Sequence, residues 1–142
     1  MIHSIKIGKL IYARLTQDQS LITAIGNNKV FPIVAENETK FPFVTYTRTG
    51  VSPAKQTKDG RVEDIVTFQV SVCSDSYNES LDVADKVREL LEIKLMSSDE
   101  LAMIETYMTG ITELYDSNTY IQQMQFTTRV QNVYTPEQTQ NG

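Results

Sequence analysis

Val62-Glu-Asp-Ile-Val-Thr-Phe-Gln-Val-Ser-Val72, running on into Cys73-Ser-Asp-Ser-Tyr-Asn-Glu-Ser-Leu81, is the stretch on which the fold turns. Its even positions through 72 are Val62, Asp64, Val66, Phe68, Val70 and Val72; its odd positions are Glu63, Ile65, Thr67, Gln69 and Ser71. Apolar residues recurring every second position mark a strand with one buried face. Ser76 and Glu79 then stand at capping-box spacing, the signature of a helix start. The spacing predicts a helix over 77–95. Leu81, Ala84, Val87, Leu91 and Leu95, helped by Leu90, form its core stripe, with Asp82, Asp85, Glu89 and Glu92 largely on the other side. Asp82–Lys86 and Arg88–Glu92 are opposite charges at i, i+4. Asp64 is the one charge on the apolar face of the strand, and acids are so rarely buried that it reads as a strand-end residue facing solvent.

Upstream, 41–49 (FPFVTYTRT) is aromatic and β-branched and reads as a strand after Pro42. Ser52-Pro53 and Asp59-Gly60 make 50–60 a loop joining it to 62–72 as a long-armed hairpin. The segment 29–34 (KVFPIV) reads as short and extended, and Pro32 confines it to a sheet edge. Before it, Ile7, Leu10, Ile11 and Leu15 share one face of a helix over 4–16. A second short helix is capped by Asp18 and ended by Gly26 at C′. Downstream, 103–115 and 119–134 read as strands joined by the turn 116–118. In the second of these, Tyr120, Met124, Phe126 and Val130 face one way, and Gln123, Gln125, Thr127, Arg129 and Gln131 the other. The tail 135–142 (TPEQTQNG) contains no apolar residue and reads as disordered, leaving 1–134 as one domain. The expected fold is α+β in two layers: an antiparallel or mixed sheet of about four to five strands, with the N-terminal and central helices on one face.

The sequence has 142 residues, 40% of them hydrophobic and 22% charged, ordinary values for a globular domain. A formal net charge of −5 argues against a protein that holds nucleic acid by neutralising phosphates, and does not exclude one that lets DNA slide past, since like charge prevents sticking. A single cysteine, Cys73, rules out an intrachain disulfide. No apolar run approaches the roughly 20 residues needed to span a bilayer, and the cation-interrupted N-terminus reads as an amphipathic helix and not as a signal peptide. Synthesis in the cytosol follows from that reading.

Catalytic constellations are missing from the pattern. The single histidine, His3, stands near the start, so no Ser-His-Asp or Cys-His set can be built around a central imidazole. One Cys and one His, seventy residues apart, do not make a zinc site. The glycines are dispersed, with no phosphate-binding loop. No cofactor is expected. The acids Glu63 and Asp64 are the candidates for a small ligand-binding or metal-dependent site, although neighbours on a strand point to opposite faces.

Two features point to contact with other macromolecules. Arg48, Lys55, Lys58 and Arg61, opposed only by Asp59, give the segment 48–61 a charge of +3 and leave −8 on the rest of the chain. That separation suits head-to-tail association with a second copy, and equally a solvated loop. The polar face of 119–134, with Gln123, Gln125 and Arg129, is a candidate subunit interface. An adaptor that binds a partner by strand addition along an open edge at 29–34 or 119–134 is a further alternative.

As an ordered set, several motifs resemble those of the small tail-completion proteins of long-tailed phages and prophages, the tail terminators and head–tail joining proteins. They are Asp18-Gln-Ser-Leu21, Val30-Phe31-Pro32, Phe41-Pro-Phe-Val-Thr-Tyr46, the strand 66–74 (VTFQVSVCS), the helix segment 84–91 (ADKVRELL), the turn 114–120 (LYDSNTY) and the strand after it. The resemblance covers roughly residues 5–134. It implies a non-enzymatic virion component, commonly a hexameric ring, at the head-proximal end of the tail tube. The implied partners are further copies of itself, the major tail tube protein and the head connector proteins, with DNA passing through the lumen unbound. The implied location is the bacterial host cytoplasm during assembly and then the virion tail.

Overall fold

The structure, a computed structural model, describes residues 4–56, 62–92, 96–97 and 101–132. The alternating stretch forms the strand β3 (Val62–Ser74), at the centre of a sheet with β1 (Val30–Pro32), β2 (Phe43–Gln56), β4 (Met96–Ser97), β5 (Leu101–Asp116) and β6 (Thr119–Asn132). The strand order is β1-β2-β3-β6-β5-β4. Every pair is antiparallel except β1 with β2, which makes the sheet mixed. The helices α1 (Ile7–Thr16), α2 (Gln19–Ile25) and α3 (Tyr77–Leu91) pack on the sheet, so the α+β expectation holds. The sheet has six strands because the two residues of β4 pair with Ala102 and Met103 of β5, a contact too short to leave a periodic signal.

One face of the sheet meets the helices. Val66, Phe68, Val70 and Val72 of β3 and Met124, Phe126 and Val130 of β6 are buried against Ile7, Ile11 and Leu15 of α1, Leu21 and Ile25 of α2, and Val83, Val87 and Leu91 of α3. Phe68 and Phe126 sit opposite each other in register and stack with ring centroids 5.2 Å apart. Offset stacking of this kind adds to the stabilisation that burial alone provides.

The predicted caps form, one of them by a relay. Asp18 Oδ1 accepts the Leu21 amide at 2.9 Å, and Gly26 ends α2 at φ 89°. Ser76 Oγ accepts the Glu79 amide at 3.3 Å. The return bond of the capping box runs through a third residue: the Ser76 amide donates to Ser74 Oγ at 3.0 Å, and the Ser74 hydroxyl donates to Glu79 Oε1 at 2.7 Å. The last residue of β3 thereby becomes part of the cap on α3. The β5–β6 turn places Ser117 and Asn118 at φ 51° and 62°, the doubly left-handed geometry of a two-residue hairpin.

Four expectations are corrected. The segment 50–56 is strand and not loop: β2 runs on to Gln56. Register shifts at Arg48/Gly50 and Pro53/Lys55 accommodate the glycine and the proline that looked like breakers. Residues 57–61 lie outside the described set. In α3, Leu81 is 39% exposed and Val83 takes its place in the core. Asp64 is only 3% exposed on the helix-facing side, where Ser4 Oγ donates to its Oδ2 at 2.6 Å. An acid can stand there because the turn Ser4–Lys6, at the start of the chain, supplies a donor. Lys86 donates to Ser20 of α2 at 3.2 Å, whereas the predicted Arg88–Glu92 pair forms at 2.7 Å. The tail 135–142, Leu95 and the end of the last predicted strand, 133–134, lie outside the described residues.

Candidate interaction surface

The other face of the sheet carries no helix among the described residues. By register, Thr45, Thr47 and Ser52 of β2 lie beside Ser71, Gln69 and Ile65 of β3, which lie beside Gln123, Gln125 and Arg129 of β6. β5 continues the rows with Thr112, Gly110 and Ile104. The surface is mostly Thr, Ser and Gln, with Ile65 and Leu114 exposed among them. Its side chains bond laterally: Gln125 Nε2 donates to Gln69 Oε1 at 2.7 Å, and Thr49 Oγ1 donates to Thr67 Oγ1 at 2.9 Å. One charged group interrupts it. Arg129 Nε donates to Glu63 Oε1 at 3.1 Å and its Nη1 to Glu105 Oε1 at 3.2 Å, with Nη2 also on Glu63. The two carboxylates push the Arg129 guanidinium above its ordinary value.

The structure thus brings together Gln123, Gln125 and Arg129, and separates Arg48 from them. Arg48 pairs in register with Phe68, on the helix side, and its Nη1 donates to the Ile5 carbonyl at 2.6 Å. Lys55 is on β2, paired with Glu63. Lys58, Arg61 and His3 lie outside the described residues. Glu63 and Asp64 diverge, one to Arg129 and the other to Ser4, so the two acids do not converge on a common ligand. Among the described residues no cluster of three or more His, Cys, Asp or Glu could hold a metal ion. No helix among them is long and apolar enough to cross a membrane.

Cys73 ends the same face, buried beside Phe43 and Ile121 in register, and desolvation pushes its thiol up to about 11. A thiol held that far from ionisation is a packing residue and not a nucleophile at neutral pH.

The far end of the β5–β6 hairpin forms a polar knot on the helix side. Tyr77 Oη donates to Glu113 Oε2 at 2.7 Å and Gln122 Nε2 donates to the same oxygen at 3.0 Å. The Tyr77 bond, then the Gln122 bond, hold the Glu113 carboxyl below its usual range. Gln122 also reaches Ser80 Oγ at 3.2 Å, which accounts for a glutamine buried among core residues. On the knot's side of the hairpin Ile111 and Tyr115 remain exposed, and on the other face Leu114 does. At the opposite edge Ile33 and Val34, directly after β1, are 72% and 71% exposed, and Ile33 adopts φ 66°, a left-handed conformation that a β-branched residue rarely takes. Sequence reasoning missed both apolar groups. Exposed residues on a strand carry no periodic mark that separates them from core residues.

The strand expected to offer an edge, 119–134, does not: β6 is paired on both sides, with β3 and β5. β1 is an edge, but only three residues long. The open edges lie elsewhere. β1 pairs with 44–46 of β2, and β4 with 102–103 of β5. Beyond those contacts the outer sides of β2 and β5 have no strand partner among the described residues.

A family model described as "Tail completion protein gp17" matches residues 9–131. A search of curated proteins found no match. Among solved structures, a chain from the "Virion of native gene transfer agent (GTA) particle" superposes with a TM-score of 0.70 at 16% identity, covering 87% of this chain and 92% of that one. At that identity the likeness is one of fold.

Proposed function

The chain belongs to the tail completion protein gp17 family, and from that premise we propose that it is a structural tail component that closes into a ring at the head-proximal end of a phage tail tube. The observation that carries the reading is the family match over 9–131, which takes in α2, α3 and all six strands. In this reading the protein works by shape and self-recognition, without catalysis. It terminates tube growth and presents a surface to the head connector. Its partners are further copies of itself, six in the commonest arrangement, together with the tube protein and the connector. It is made in the host cytoplasm and ends in the virion tail.

The physics supports this role. A ring requires a heterologous contact that closes, and a +3 segment on a −8 remainder supplies complementary halves. A chain of net charge −5 repels DNA and so lets it pass without adhering. The candidate contact residues are Arg48, Lys55, Lys58, Arg61, Gln123, Gln125 and Arg129. Mass measurement of the purified protein, with electron microscopy of tails assembled with and without it, tests the reading. The expected results are a closed oligomer and tubes that overgrow in its absence. A strict monomer at high concentration that binds no tube end refutes it.

A further inference from the structure

We propose that copies of this chain join edge to edge, the outer side of β2 in one copy pairing antiparallel with the outer side of β5 in the next. The inference rests on the ring reading above and assigns its subunit contact.

Three observations converge. The first is that both edges are open and long. Among the described residues, no strand lies outside 47–56 of β2 or outside 104–116 of β5; on β5 the Met108 amide is already held by Glu92 Oε2, which leaves 109–116 as its longest open length. Unpaired backbone donors and acceptors along such an edge are a template for another strand. Edges of this kind are commonly blunted by lysine, proline or bulges, and β2 carries Pro53, Lys55 and shifts at Arg48/Gly50 and Pro53/Lys55, so the unblunted edge is that of β5. β5 has bulges at Ile104/Tyr107 and Met108/Gly110, but from 110 to 116 it is in regular register, without Lys or Pro, and carries the exposed Ile111, Leu114 and Tyr115.

The second is charge. The open stretch of β2 holds Arg48 and Lys55 and no acid; 104–116 of β5 holds Glu105, Glu113 and Asp116 and no base. A β2–β5 contact therefore brings opposite signs together. The two symmetric alternatives, β5 on β5 or β2 on β2, set like charges against each other, which destabilises directly opposed strands. The charge pattern thus selects the heterologous contact, the kind that builds a ring, over the isologous contact of a dimer.

The third is direction. β2, β3, β6 and β5 alternate in direction across the sheet, so β2 and β5 are antiparallel within one copy. Rotation about a ring axis keeps each strand's sense relative to that axis. The β5 of one copy and the β2 of the next therefore meet antiparallel, the pairing in which hydrogen bonds lie straight across the ladder. Closure of a twisted sheet tilts its strands, so the contact is staggered along the strand direction.

Cysteine cross-linking tests this. Thr47 and Ser52 on β2 and Thr112 and Leu114 on β5 share the helix-free face by register. Opposed residues on neighbouring strands have Cα atoms about 4.5–5.5 Å apart, within disulfide reach. In a Cys73→Ser background, each β2 position is paired with each β5 position, and the assembled protein is mildly oxidised and run on non-reducing gels. At least one pair is expected to give covalent multimers up to the mass of the whole assembly, while its single-cysteine parents do not. Lys55→Glu is expected to weaken assembly several-fold, and Lys55→Glu with Glu105→Lys to recover it in part. Wild-type protein that assembles by mass while no β2–β5 pair cross-links overturns the edge contact and leaves the ring reading standing. Protein that stays monomeric at every concentration and on tube ends overturns both.

Discussion

Removing the Ser4 hydroxyl should destabilise the domain far more than its place near the chain start implies. Ser4 is fully buried, and its Oγ donates to Asp64 Oδ2 at 2.6 Å beneath the central strand. A hydrogen bond to a charged group contributes about 1.5–3 kcal/mol net, and deleting the donor leaves a buried carboxylate short of one partner. Ser4→Ala should therefore cost about 1.5–3 kcal/mol. For a chain of this size each kcal/mol lowers Tm by about 2–4 °C, so the expected shift is about 3–12 °C. The assay is urea unfolding followed by far-UV circular dichroism, with calorimetry for Tm. Two controls sharpen it. Thr39→Ala removes a hydroxyl whose exposed bond is to the Glu36 carbonyl and should cost less than about 0.5 kcal/mol. Ser4→Thr retains the donor and should fall between. Ser4→Ala within 0.5 kcal/mol of the wild type, at an unchanged denaturant slope, would refute the claim that this bond makes the buried acid tolerable.

The other expected outcomes follow from the packing and the titratable groups. Phe126→Ala deletes half of the stacked pair at the sheet centre and should cost about 3–5 kcal/mol, read as a lower urea midpoint; Leu81→Ala, on the exposed side of α3, should cost much less. Glu92 accepts from Arg88 and from the Met108 amide, and the Arg88 bond first holds its carboxyl below the ordinary value. A lowered folded-state pKa adds stability that is full above the unfolded-state value and lost as pH falls through the folded one. Wild type should therefore lose stability relative to Glu92→Gln in acid below pH about 4.5, by well under 1 kcal/mol because the pair is solvent-screened. Cys73, pushed from 9.0 to about 11, should react with iodoacetamide at pH 8 roughly a hundredfold more slowly than a free thiol, and at the ordinary rate in denaturant.

Period and capping made most of the fold legible. The alternation of 62–72, the Ser76 cap and the stripe Ile7, Leu10, Ile11 and Leu15 each depend on neighbours a few residues away, and each stands as read. The misreadings share a physical cause: the deciding partner is distant in sequence. Asp64 looked exposed because its hydrogen-bond donor is sixty positions upstream. Gly50 and Pro53 looked like loop residues because a bulge exists only relative to the strand opposite, and β3 supplies that reference. Leu81 looked like core because periodicity gives the spacing of a stripe without saying which of two adjacent rows meets the sheet.

The surface was legible in kind but not in arrangement, and strand order is the reason. Gln123, Gln125 and Arg129 share a face because β6 alternates, as the sequence implies. That this strand lies in the middle of the sheet, and so cannot accept another strand, follows only from its pairing with β3 and β5. The charge reading changes in the same way. Along the chain, +3 over 48–61 was set against an undivided acidic remainder. In the sheet, two of those cations stand on an open edge, and three acids stand on the opposite open edge. Carriers of one sign on each side of a strand array form a surface with two unlike ends. Such a molecule is satisfied by neighbours in the same orientation, and a closed circle of copies leaves neither end exposed.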